Sequence, residues 1–202
     1  RNLHVITIED PIEYLHQHKM SVVTQRELAT DTTSYDAALR AALREAPDVI
    51  LVGEMRDAET IRAAVTAAET GHLVISTLHT LGASNTIDRI VDSFPPEQQQ
   101  QIRTQLALVI EGVVSQQLVP ALDGSLIPAF EVMTVTPAVR NMIRESKAHQ
   151  LDNVISSSAA DGMISMDQSL LQLAKAGRIG QDAALGHCIN SEWLRKRLAL
   201  NS

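Results

Sequence analysis

Two short, uninterrupted apolar runs, residues 49–52 and 73–75, constrain the fold of this chain more than any other feature. Each is too brief for a helix and lacks a polar alternate, the pattern of a strand buried on both faces. Between them Asp57 offers a helix cap and Gly71 a stop, which predicts a helix ending at Thr70. Ahead of them, residues 3–8 read as a strand stopped by Glu9-Asp10-Pro11, and residues 20–25 as a shorter strand. Asp31-Thr32 offers a cap for a helix over 35–45, which Pro47 breaks. Ser84 or Asn85 opens another helix to Val91, and Pro95-Pro96 starts one running through Leu108. Alternation of this kind predicts an α/β fold whose sheet is mostly parallel, with helical crossovers.

The texture then changes. Residues 113–119 and 126–133 flank Asp123-Gly124, a turn dipeptide, so a β-hairpin is expected. From Pro137 onward every segment reads helical: 138–145, 148–156, 166–175, 181–188 and 192–200, punctuated by Gly162, Gly177 and Gly180. The expected organisation is a core over 1–136 and a helical subdomain over 137–202. With 2% aromatic residues, the core must be built from Ala, Val, Ile and Leu. A net charge of -7 argues against a nucleic-acid partner. Cys188 is the single cysteine, which excludes an intrachain disulfide and a zinc cluster. The apolar runs are far too short for a transmembrane segment, and no signal peptide is recognisable. The first residue is Arg1 and a strand follows at once, so the chain reads as cut from something longer.

In open α/β sheets ligands bind outside the carboxyl ends of the strands. The first strand delivers Glu9, Asp10 and, after the turn, Glu13 to that edge. The second delivers Gly53-Glu54-Met55-Arg56-Asp57, and the third Thr77 and His79. An apolar strand followed by a carboxylate is a Walker B pattern, in which the acid serves the magnesium shell or orients the attacking water. The usual aspartate position is Gly53, which leaves Glu54 to act on water; capping the helix at Asp57 is the alternative role. Asp48, at the strand's start, lies about 20 Å away and cannot share the site. His72 and His79 are separated by up to about 23 Å of strand, so they do not share a metal ion. Arg40 and Arg44, four apart on a helix, form either a cationic stripe toward phosphates or a solvated face paired with Asp36 and Glu45. Asp10 and Glu13 beside Glu54 make an acidic cluster that favours magnesium.

These residues resemble the secretion ATPases. Ile8-Glu9-Asp10-Pro11-Ile12-Glu13 is similar to that family's Asp box, and Gly53-Glu54-Met55-Arg56-Asp57 to its Walker B element. Thr70-Gly71-His72 through Thr77-Leu78-His79-Thr80 is similar to its His box. Ala138-Val139-Arg140-Asn141-Met142-Ile143-Arg144-Glu145 resembles, with two conservative changes, the motif that the PilT branch links to pilus retraction. As a plain helix, that segment would bury Val139, Met142 and Ile143. The absence of a four-cysteine insertion favours the same branch over the pilus-extension and type II secretion relatives. The resemblance implies a RecA-like P-loop NTPase core, ATP and Mg2+ as ligands, and catalysis by Glu54 and Glu13. His79 would sense the γ-phosphate. Thr77, Asp10, Arg40, Arg44 and His72 would lie near the nucleotide or a subunit interface. It further implies a cytoplasmic homohexamer, peripheral at the inner face of the plasma membrane and acting on an inner-membrane pilus platform protein in twitching motility.

No Gly-x-x-x-x-Gly-Lys-Ser/Thr run occurs in the chain, and Lys19, Lys147, Lys175 and Lys196 all lack the glycine frame. The isolated chain is therefore expected to bind ATP weakly or not at all and to be inactive alone, with an exposed sheet edge prone to pairing. A non-catalytic regulatory subunit naturally lacking the loop is the competing reading; presence of Glu13, Glu54 and His79 favours the motor.

Overall fold

A computed structural model of the chain describes residues 1–199. The strands are β1 (His4–Glu9), β2 (Val22–Glu27), β3 (Val49–Val52), β4 (Leu73–Ser76), β5 (Gly112–Pro120) and β6 (Leu126–Thr134). The helices are α1 (Tyr35–Ala42), α2 (Ala58–Glu69), α3 (Ala83–Asp92), α4 (Pro96–Val109), α5 (Pro137–Arg144), α6 (Leu151–Ser157), α7 (Met166–Lys175), α8 (Gln181–His187) and α9 (Ser191–Ala199). Single 3-10 turns cover Leu43–Glu45, Ala148–Gln150 and Ala159–Asp161. The helix expected over 192–200 starts one residue earlier, and its last expected residue, Leu200, lies outside the described residues.

Contacts divide the chain into two compact units. The first holds Arg1–His79 and Ile90–Val109, and the second holds Thr80–Arg89 and the chain from Ile110 onward. The boundary expected near Pro137 falls inside the second unit, because the hairpin packs with the C-terminal helices. Helix α3 begins in the second unit, and its residues from Ile90 belong to the first.

In the first unit β2-β1-β3-β4 form a sheet in which every pairing is parallel. Ile8, Ile50 and Val52 point to the face covered by Ala38 and Leu39 of α1 and Ala67 of α2. Fully burying an aliphatic side chain of this kind contributes about 1.5–3 kcal/mol, so this face holds the sheet to its helices. The other face differs from expectation. Leu73 and Ile75 of β4 are 54% and 48% exposed, because β4 is an edge strand and its alternate residues face away from the helices. The cap of α1 is Ser34, whose hydroxyl accepts from Ala37 N, rather than Asp31 or Thr32. Asp31 is already committed, its carboxylate accepting from Glu27 N at 2.8 Å. The helix tightens into a 3-10 turn at Leu43 and stops at Ala46, which is left-handed with φ of 50°.

In the second unit β5 and β6 pair antiparallel along their full length. Asp123 closes the turn by accepting from Ser125 N at 2.9 Å and from Ser125 Oγ at 2.6 Å, which holds its carboxyl below the usual range. Gly124 takes a φ of +84° that side chains disfavour. Val119 and Ala129 of the hairpin bury against Met166, Leu170 and Leu171 of α7, with Ala184, Leu194 and Leu198 closing the cluster. Ser165 and Gln168 form a capping box at the start of α7. Asp167 accepts from Ile189 N and Asn190 N at 2.7 and 2.8 Å, tying α7 to the chain that enters α9.

Candidate active site

The parallel register brings the carboxyl ends of three strands side by side: Ile8 lies opposite Val52, and Val52 opposite Ser76. The residues that follow continue the alignment. Gly53 N donates to Ile8 O at 2.8 Å, and Met55 N to Thr77 O at 3.1 Å. Thr77 Oγ1 donates to Gly53 O, so this hydroxyl is engaged by the strand end itself. Gly53 is where β1 crowds β3. A Cβ there would lie 3.1 Å from Ile8 O and 3.3 Å from Glu9 Cα, both backbone atoms, and 3.5 Å from the Tyr35 hydroxyl. An aspartate at this position would therefore require β1 to move, and the next residue carries the carboxylate instead.

Glu54 is that carboxylate, and its side chain is 17% exposed. Its oxygens are shared between two partners. Arg56 Nε donates to Oε2 at 2.6 Å, and His79 Nε2 stands 3.2 Å from Oε1. Arg56 also reaches toward Asp10, with 4.0 Å between Nη1 and Oδ2. Capping is ruled out for Glu54, because Asp57 caps α2 by accepting from Thr60 N at 2.8 Å. The edge thus gathers Asp10, Glu54, Arg56, Thr77 and His79. The His79 side chain is 87% exposed, which leaves it open to a ligand.

Two members of this site escape a reading of the sequence. Arg56 lies inside the Walker B pattern, which gives it no role, although its spacing from Glu54 places it within reach. Tyr35 reads in sequence only as the start of a helix. Burial raises its phenol above the usual range; Asp10, Glu54 and Glu9 push the same way, against Arg56. Glu9 itself faces inward, accepting from Thr7 Oγ1 at 2.6 Å and Gln25 Nε2 at 3.0 Å.

Other expected site residues lie apart from this edge. Glu13 is exposed in the segment between β1 and β2. Arg40, with a side chain 73% exposed, pairs with Asp36 at 2.8 Å and lines a groove of about 570 Å³ between α1 and α2. Arg44 is exposed on the following 3-10 turn, while Glu45 pairs with Arg26. His72 sits at the amino end of β4, where Nδ1 is 3.0 Å from Ala67 O and 3.1 Å from Thr70 Oγ1, finishing α2. Asp48 accepts from His4 N at 2.7 Å at the start of β1, far from Glu54 along the strand. Among the described residues, no cluster of three His, Cys, Asp or Glu side chains could hold a metal ion directly.

The segment 138–145 forms α5 in the second unit. Thr136 caps it, accepting from Val139 N, and Pro137 occupies the first turn. Val139 and Ile143 are fully buried, Met142 half-buried, and Asn141, Arg144 and Glu145 exposed. Arg140 Nη2 donates to Glu111 Oε1 at 2.7 Å, while Arg144 donates to Asn141, and Asn141 to Glu145. Lys147 beside Glu145 holds that carboxyl below the usual range.

A family model described as type II/IV secretion system protein matches residues 1–169. The chain is 52% identical over 190 residues to a twitching motility protein of Neisseria gonorrhoeae, covering 94% of this chain and 51% of that protein. It is 50% identical over 181 residues to the type IV pilus retraction ATPase PilT of Pseudomonas aeruginosa, covering 90% of this chain and 53% of that protein. A crystal structure of the pilus retraction motor PilT with bound ADP superposes with a TM-score of 0.89 at 47% identity, over 97% of this chain and 55% of that one. The chain therefore spans about half the length of these relatives.

Proposed function

The chain belongs to the type II/IV secretion system protein family, and from that premise we propose that it carries the water-activating half of an ATP-hydrolysing motor that retracts type IV pili. The observation that carries this reading is Glu54, seated at the carboxyl end of β3 between Arg56 and His79. Phosphoryl transfer needs little covalent chemistry from a protein, so catalysis comes from positioning and from stabilising charge. Glu54 orients the attacking water and accepts its proton. Arg56 holds the carboxylate aimed, releasing one oxygen when water arrives. His79 turns from Glu54 to donate to the terminal phosphate. Asp10 presents oxygen acceptors at the same edge, whereas Glu13 stands in the segment between β1 and β2.

Such acceptors suit a magnesium ion that would be held mainly by phosphates and water. When bound, Mg2+ neutralises charge on the phosphates. Thr77 fixes the strand end that carries His79. In this reading Arg40, Arg44 and His72 serve subunit contacts rather than the chemistry, since they stand away from Glu54.

Identity near one half with two proteins named for twitching motility and pilus retraction supports the retraction role, as does the helix α5. The proposed assembly is a cytoplasmic homohexamer, peripheral to the inner membrane and acting on a platform protein there. Among the described residues no helix is long and apolar enough to cross a membrane. The test is Glu54→Gln in the full-length protein. Turnover of ATP is expected to fall by about 10²–10⁴-fold with nucleotide affinity retained. Near-normal turnover would remove Glu54 from this role.

A further inference from the structure

In the proposed reaction Glu54 meets water only after Arg56 lets one of its oxygens go. Arg56 Nε holds Oε2 at 2.6 Å, while Nη1 of the same guanidinium stands 4.0 Å from Asp10 Oδ2. The planar fork thus spans two carboxylates, one engaged and one just beyond hydrogen-bonding range. A shift of about 1 Å would bring the second pair to the roughly 2.8 Å of a charge-assisted bond. The Arg56 side chain is 62% exposed and that of Asp10 40%, and ion pairs this open to solvent exchange readily.

Tyr35 brings a hydroxyl to the same edge. It is the first residue of α1, placed by the Ser34 cap, and it packs against the buried cluster that includes Ile8, Leu39 and Val52. Its hydroxyl lies 3.5 Å from the point that a Cβ on Gly53 would occupy, one residue before Glu54. Burial raises the phenol, so it keeps its proton and has one hydrogen to donate. Three acids bear on it, Asp10 most strongly, then Glu54 and Glu9. Glu9 already accepts from Thr7 and Gln25, and Glu54 is shared between Arg56 and His79. Among the described residues, Asp10 is therefore the least engaged of the three.

We propose that Asp10, held by the Tyr35 hydroxyl, is the seat to which Arg56 moves when Glu54 turns to the attacking water. The inference rests on the ATPase reading given above and deepens it. In the starting position the guanidinium covers Glu54; moved to Asp10, it opens the carboxylate while positive charge stays at the edge. Asp10 and Tyr35 are positioning residues in this step, since they act on Glu54 through Arg56. All four residues belong to the first unit.

The experiment measures kcat and ATP affinity in the full-length protein for Tyr35→Phe and Asp10→Asn, each alone, together, and each combined with Arg56→Ala. Each single substitution is expected to lower kcat about tenfold with ATP affinity unchanged, the loss that follows removal of one hydrogen bond to a charged group. Together they are expected to lower kcat no further than Asp10→Asn alone. In the Arg56→Ala background both are expected to cost almost nothing, because no guanidinium remains to be reseated. Losses that multiply in either cycle, or a lowered melting temperature with kcat per folded molecule intact, would overturn the proposal. If Tyr35→Phe fails to fold, the cycle of Asp10→Asn with Arg56→Ala decides by the same outcomes. A wild-type protein without ATP turnover overturns the ATPase reading and this inference with it. An active wild type whose cycles are additive overturns the inference alone.

Discussion

At Gly53 a missing Cβ decides where the acid of this site can sit. A Cβ there would stand only 3.1 Å from Ile8 O and 3.3 Å from Glu9 Cα, and the carboxylate sits one residue along, at Glu54. Gly53→Ala is expected to destabilise the first unit by roughly 1–3 kcal/mol, the usual penalty of overpacking against backbone, read as a shifted urea midpoint. Glu131 gives a pH dependence with a definite sign. Burial raises its carboxyl above the usual range, with Asp152 and Asp167 adding and the Ala83 and Met166 amides opposing. A raised folded-state pKa favours the fold below the ordinary carboxylate pKa, and this contribution is lost as pH rises through the raised value. Wild-type stability should therefore drop relative to Glu131→Gln as pH rises above the ordinary carboxylate range, and parallel curves for the two proteins would contradict the assignment. Burial pushes the Cys188 thiol above its usual range, and Asp167 adds to the shift. Glu54 and His79 are legible in the sequence, because strand-end position and motif spacing are properties of the sequence. Arg56 and Tyr35 are not, because their roles depend on which side chains converge across α1, β1 and β3.

The helices are governed by their first and last residues. Ser34, Asp57, Thr136 and Ser165 each accept from an amide in the following turn. Replacing Ser34 or Thr136 by Ala is expected to cost about 1 kcal/mol, measurable by denaturant titration. For α2 the cap is readable as Asp57, since aspartate precedes the apolar period directly. For α1 the sequence points to Asp31-Thr32 instead of Ser34, because several polar residues precede Tyr35 and only the fold reveals that Asp31 serves the end of β2. Strand β4 shows the same limit. An apolar run reads as doubly buried, yet Leu73 and Ile75 stand half-exposed, because sequence specifies a strand's chemistry and topology specifies its place in the sheet. Helix α5 buries Val139 and Ile143 while Asn141, Arg144 and Glu145 face outward. Arg144→Ala in the full-length protein is expected to spare ATP turnover and to impair twitching, scored as colony spreading. Unimpaired spreading would detach α5 from the retraction role.

At the scale of the whole molecule, the carboxyl edge of the parallel sheet carries the proposed half of a nucleotide site. Alternation of strands and helices, the hairpin and the helical C-terminal segment are all readable from periodicity and turn chemistry. The division into units is not, since it depends on which elements the hairpin packs against. Glu54, Arg56 and His79 stand together, as the proposed action on water and a terminal phosphate requires, but no glycine-framed lysine exists in these 202 residues to hold the phosphates. The chain spans about half the length of relatives named for pilus retraction, which fits a site completed by other residues. The most direct test compares ATP binding and hydrolysis by this chain alone and by the full-length protein at equal concentration. Turnover is predicted only in the full-length protein, with no saturable ATP binding by the isolated chain. Hydrolysis by the isolated chain that disappears in Glu54→Gln, or none by the full-length protein, would contradict a divided site.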